Sequence, residues 1–124
     1  MFSLKRKIGN KAENLALQYL QKNELELVEQ NYLTTMGEID LIMLDKSEES
    51  LVFIEVRYRK TQIFGTATDT INNSKQMKII RTAKHFLLKH SQFDDLFCRF
   101  DVIGLESDLK YPVINWIKNA FEAP

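Results

Sequence analysis

Apolar residues return every three or four positions between residues 8 and 20. Ile8, Ala12, Leu15, Ala16 and Tyr19 fall on one stripe, the period of an amphipathic helix. Glu13 sits at the edge of that stripe beside Leu20, and Asn23 is placed to close the helix. A weaker strand follows over residues 25–33, with Leu25, Leu27 and Glu29 on one side. Gly37 opens a stronger one over residues 38–44, the polar stretch 45–50 makes a loop, and residues 51–58 form a third strand. The helical period comes back over residues 73–90. Ile79, Ile80, Ala83, Phe86 and Leu87 take one side of that helix, with Lys78, Arg81, Lys84, His85 and Lys89 opposite. Residues 97–105 read as a fourth strand. Residues 111–117 read as a fifth, which Pro112 sends to an edge or delays. The order αβββαβ(β) predicts an α/β fold, a mixed β-sheet with helices packed on it, in a single domain over residues 1–124.

The second and third strands carry the chemistry. A symmetric turn through 45–50 opposes residues whose numbers sum to 95, so Asp40 faces Glu55 and Glu38 faces Arg57. Side chains alternate along a strand, so these four share one face, while Ile39, Leu41, Met43, Val52, Ile54 and Val56 fill the other. Two opposed carboxylates repel by roughly 0.2–1 kcal/mol when exposed, and more when desolvated. A hard cation reverses that sign, and Mg²⁺ typically uses one or two protein carboxylates with water and phosphate oxygens. Such an ion polarises a phosphodiester and acidifies water beside it, and an adjacent Arg57 stabilises charge building on the phosphate. The plain alternative is a Glu38–Arg57 cross-strand ion pair with Asp40 and Glu55 facing water.

Composition narrows the partners only slightly. Of 124 residues, 44% are hydrophobic and 27% charged, an ordinary globular balance. Seventeen basic and seventeen acidic residues cancel, so nucleic-acid affinity requires a local patch. Arg57, Arg59 and Lys60 follow Glu55 with Tyr58 interleaved, and Lys75, Lys78, Arg81, His85 and Lys89 run along one helix. These can track a phosphate backbone, though a solvated helix face looks the same. Cys98 is the one cysteine; beside Phe97 it reads as a small core residue, and no internal disulfide can form. His85 and His90 are five apart with no cysteine partner, the wrong interval for a zinc site. Arg99 and Asp101 share a strand face, as in a local ion pair. No signal peptide or membrane span is expected, so a cytoplasmic protein is the default.

Residues 9–20, Asn31, residues 37–42 and 52–59, Gly65, Lys75, residues 99–103 and the Asn119–Phe121 segment together resemble the YraN family of small bacterial proteins. That family is similar to the PD-(D/E)XK nuclease superfamily, nearest to its Holliday-junction-resolvase-like branch. The resemblance implies a restriction-endonuclease-like core and a divalent metal, Mg²⁺ or Mn²⁺. It places Asp40 at the motif aspartate and Glu55-Val56-Arg57 at the E-x-K element, with Glu13 at the helix-borne glutamate. Asp40, Glu55 and Glu13 are then the expected metal ligands. Those three with Arg57 form the catalytic set, and Arg57, Arg59, Lys60, Lys75 and Lys78 are the nucleic-acid contacts. The usual lysine is arginine at 57, which keeps the charge but gives up no proton near neutrality. A position often basic in the family is Leu33. The function implied is Mg-dependent endonucleolytic hydrolysis of DNA, at branched or junction substrates, with a homodimer expected by analogy. The alternatives are a non-catalytic nucleic-acid-binding module that retains the nuclease fold, and a protein-interaction domain.

Overall fold

The computed structural model describes residues 4–60 and 71–124, with side chains from residue 9 onward; Gly65 and the Ile8 side chain, both named above, lie outside the described residues. Helix α1 (Leu4–Lys22) turns Ala12, Ala16 and Leu20 inward, as its stripe predicts. It ends at Lys22, immediately before Asn23, as expected. Glu24 takes the left-handed conformation (φ 69°), and Leu25 N–H returns to Leu20 O at 3.1 Å. Leu25 and Leu20 then share a core cluster, the apolar contact that accompanies this kind of helix end.

Five strands follow: β1 (Glu26–Thr34), β2 (Gly37–Asp45), β3 (Ser50–Arg59), β4 (Phe97–Glu106) and β5 (Val113–Phe121). They lie in one sheet in sequence order. All neighbours are antiparallel except β3 and β4, which run parallel. That parallel pair requires a crossover, which contains α2 (Asn73–Lys89). A 3₁₀ turn at Ser91–Phe93 leads into β4. β5 begins directly after Pro112 and forms one edge, as a residue without an N–H to donate requires. Among the described residues no helix is long and apolar enough to cross a membrane.

Alternation along the strands gives the sheet two buried faces. Leu41, Met43, Val52, Ile54, Ile103 and Leu105 pack with α1, while Ile42, Leu51, Phe53 and Phe100 pack with Ile79, Ile80, Ala83 and Phe86 of α2. The helices therefore cover opposite sides, and β3 is buried from Ser50 to Glu55. His85, expected on the solvent side of α2, instead lies 2.7 Å from the Tyr32 hydroxyl through Nδ1. Cys98 is exposed rather than in the core. It precedes Phe100↔Phe121, where the β4–β5 ladder ends, so no strand shelters it on that side.

Arg99 and Asp101 form the expected pair, and more. The Arg99 Nε lies 3.0 Å from Asp101 Oδ1, and its NH1 reaches Asp45 Oδ2 at 3.2 Å. Asp101 also accepts from Trp116 Nε1 and from the Asn119 N–H, both at 2.9 Å. This fully buried carboxylate thus ties β5 to the β2–β3 turn. Removing it strands the donors of Arg99, Trp116 and Asn119 at once. Asp101→Ala is expected to destabilise the fold by about 3 kcal/mol or more, read as a shift of the urea midpoint at unchanged slope.

Candidate functional site

The β2–β3 ladder runs from Asp45↔Ser50 to Leu41↔Ile54, every pair summing to 95 as the symmetric turn requires. The ladder stops there. The Asp40 carboxylate instead accepts the Val56 N–H through Oδ2 at 2.8 Å. On the other flank, the β1 register passes from Gln30↔Leu41 to Tyr32↔Ile39 across Asn31, whose φ is 54°. Asparagine tolerates this left-handed backbone better than most residues. The distortion resets the alternation, so Ile39 packs in the α2 cluster with Ile42 and not in the α1 cluster with Leu41. The expectation that Ile39 lies opposite Asp40 assumed an unbroken strand, and the break at Asp40 overturns it.

Beside this gap lies a cavity of about 440 Å³, lined by Glu38, Asp40 and Glu55 from the hairpin and by Asn72, Ser74, Lys75 and Lys78 from the start of α2. The close approach of the helix depends on Gly37. A Cβ there would sit 3.2 Å from Thr82 Oγ1 and 3.4 Å from Lys78 Cβ, at a φ of 155° that favours glycine. Asn72 caps α2 by accepting the Lys75 N–H at 2.9 Å. Lys75 then sends its ammonium to Glu55, with Nζ 2.7 Å from Oε1. Glu13 approaches from α1. With its amide turned to donate, Asn31 reaches Glu13 Oε1 at 2.7 Å and Glu38 Oε1 at 3.1 Å.

Four carboxylates thus crowd a partly dry site. Burial above all, then the Glu55 charge, pushes Asp40 up to about 8; the Val56 N–H opposes this, and Glu13 and Glu38 add to it. Glu13 is also raised, by burial first and then by Glu38, with the Asn31 amide pulling the other way and Glu55 adding a smaller push. Carboxyl groups displaced like this by desolvation and like charge are a mark of functional sites.

The structure brings Glu13, Asp40, Glu55, Lys75 and Lys78 together, five of the residues singled out from sequence. Arg57 and Arg59 lie further along β3, half-buried, in register with Gly104 and Glu106 of β4; Lys60 is exposed just beyond. Glu38, paired with Arg57 by strand arithmetic, instead shares the cavity with Asp40 and Glu55, because the ladder ends before that pairing. Asn31 is the residue whose part was not seen, and the one signal for it was its place in the family resemblance. Among the described residues no three His, Cys, Asp or Glu side chains converge as a finished metal cage. The donors are nevertheless hard carboxylate oxygens, and Mg²⁺ commonly takes only one or two of these. The residues present therefore fit such an ion.

Fold and site define a mixed α/β protein with an acidic cavity between a broken hairpin and the start of a crossover helix. Residues 12–105 match the uncharacterised protein family UPF0102. Similar chains include a UPF0102 protein of Coxiella burnetii (strain RSA 493 / Nine Mile phase I), 48% identical over 122 residues and 98% of both chains. Another, from Psychromonas ingrahamii, is 53% identical over 114 residues, 92% of this chain and 88% of its own. A third, from Vibrio parahaemolyticus, is 46% identical over 116 residues, 94% of this chain and 93% of its own. The chain belongs to the UPF0102 family, also called YraN.

The raised carboxyls make stability pH-dependent with a definite sign. Between the ordinary aspartate value of 3.8 and about 8, the folded protein holds a proton on Asp40 that the unfolded chain releases. Stability therefore falls as pH rises through that window. Asp45 acts at the acid end. Burial pushes it up, but hydrogen bonds from Ser47, Arg99 and the Glu48 N–H outweigh this and leave it lowered. Its contribution is present above 3.8 and is lost as pH falls through the folded value. Melting in EDTA is expected to drop by several degrees from about pH 5 to about pH 9, and the drop shrinks in Asp40→Asn. An unchanged slope in that variant excludes Asp40 as its source.

Proposed function

We propose that this protein is a nucleic-acid-binding, Mg²⁺- or Mn²⁺-dependent endonuclease that hydrolyses DNA phosphodiesters, with branched DNA as its substrate and a homodimer as its working form. One observation carries the reading: Glu38, Asp40 and Glu55 line the same cavity as Lys75 and Lys78, so anionic and cationic groups face one space of a size that admits a phosphate. Asp40 and Glu55 would hold the divalent ion, and Glu13, steadied by Asn31, would support it. When bound, the ion supplies Lewis-acid polarisation of the phosphate and a more acidic water. The chain's own residues do the rest. Lys78 orients the phosphate, Arg57 offsets charge developing on it, and Arg59 and Lys60 extend the grip along the backbone. The hairpin and α2 fix these groups before substrate arrives, so little reorganisation is needed during the reaction.

The second reading is a non-catalytic nucleic-acid-binding module. It draws on Arg57, since arginine at the lysine position cannot exchange a proton near neutral pH. Calorimetric titration with Mg²⁺ and Mn²⁺, alongside cleavage of junction, flap and duplex DNA, separates the two. The wild type is expected to bind the ion and cut branched DNA, and Asp40→Ala with Glu55→Ala to do neither. Ion-free, salt-dependent DNA binding without cleavage selects the second reading. Equal absence of metal binding in both proteins removes the metal site.

A further inference from the structure

Position 57 carries a guanidinium where the resemblance implies an ammonium beside the second carboxylate. An ammonium nonetheless meets that carboxylate, delivered by a different element. Lys75 Nζ lies 2.7 Å from Glu55 Oε1, with the Glu55 side chain 9% exposed and that of Lys75 51%. The two ends of this lysine are held differently. Its N–H is fixed by the Asn72 cap in the first turn of α2, while its half-exposed stem has four rotatable carbons. The base is anchored and the charge can swing.

The surroundings say what that charge is for. Glu38, Asp40 and Glu55 line the cavity, and the Glu13 charge bears on Asp40 as well. Without a cation, Glu55 would be a nearly buried anion facing other anions, an arrangement that needs compensation. The same ammonium repels a divalent ion seated on Asp40 and Glu55, so the two compete for Glu55. Ser74 and Lys78 line the same cavity, and beside them a displaced ammonium can meet a phosphate.

Building on the metal reading above, we propose that Lys75 is the resident counter-cation of this cavity. It balances Glu55 while no divalent ion is bound, and it transfers to a phosphate oxygen when one binds. It thereby supplies, from α2, the ammonium that position 57 lacks. No covalent step is involved; one ion pair is exchanged for two.

The test uses the full chain as wild type, Lys75→Met and Lys75→Arg, with circular dichroism confirming that each is folded. In EDTA, Lys75→Met is expected to melt several degrees lower and Lys75→Arg close to wild type. Calorimetry with MnCl₂ should show Lys75→Met binding the ion about tenfold more tightly than wild type, since the competing charge is gone. With Ca²⁺ in place of Mn²⁺ to hold off cleavage, fluorescence anisotropy should show weaker junction-DNA binding for Lys75→Met and near-normal binding for Lys75→Arg. If wild type and Lys75→Met bind Mn²⁺ equally well, this inference falls and the metal site stands. Unchanged DNA affinity in Lys75→Met overturns the transfer to phosphate. A wild type that binds no Mn²⁺ removes the metal reading and this inference together.

Discussion

Where β2 and β3 part, Val56 gives its N–H to the Asp40 carboxylate at 2.8 Å, at a point where a sheet ordinarily offers a carbonyl. That substitution ends the ladder at Leu41↔Ile54 and leaves room beside the strands for a cavity. It also anchors Asp40 to the neighbouring backbone. Because β3 continues in register with β4 through all ten of its residues, the break is local. The sheet stays whole on one side of β3 and opens on the other. Glu55, in the middle of that strand, is held rigidly at the margin of the opening.

Two acidic centres in the same sheet, one fully buried and one half-buried, have been treated differently. Asp101 accepts from Arg99, Trp116 and the Asn119 backbone, so its charge is compensated by geometry alone. Asp40 accepts one backbone hydrogen bond and faces the charges of Glu55, Glu13 and Glu38. The first arrangement fastens β5 and the β2–β3 turn to the sheet. The second gathers carboxylates around a cavity that Lys75 and Lys78 also line, with Lys75 paired to Glu55. A buried carboxylate by itself therefore says little; the number and sign of its partners distinguish a fastener from a site.

The helices explain why the site lies where it does. α1 and α2 cover opposite faces of the sheet, yet Glu13 and Lys75 both approach the acidic group, Glu13 through Asn31 beside Glu38 and Lys75 at Glu55. Asn31 holds the first of these groups against Glu38, and the Asn72 cap aims the second. Gly37 permits the approach of α2 that closes the cavity. None of these three residues carries charge, and each positions a residue that does.

Much of this was written in local pattern. Helical stripes at Ala12, Ala16 and Leu20 and at Ile79, Ile80, Ala83 and Phe86, and a symmetric turn through 45–50, were enough to give the element order, the β2–β3 register and the shared side of Asp40 and Glu55. These are consequences of side-chain periodicity and loop length, which act over a few residues. The rest depended on groups distant in the chain. Lys75 is twenty residues from Glu55 and joins it only because the crossover helix returns to the hairpin. His85 is only half-exposed and hydrogen-bonds Tyr32, fifty-three residues away in the chain. Alternation also misplaced Ile39 and the Glu38–Arg57 pair, since period-two reasoning assumes a continuous ladder and Asp40 interrupts it. The carboxylates were thus evident from the chain alone, whereas their crowding, their cation and the gap they surround came from packing, which decides which charges share a space.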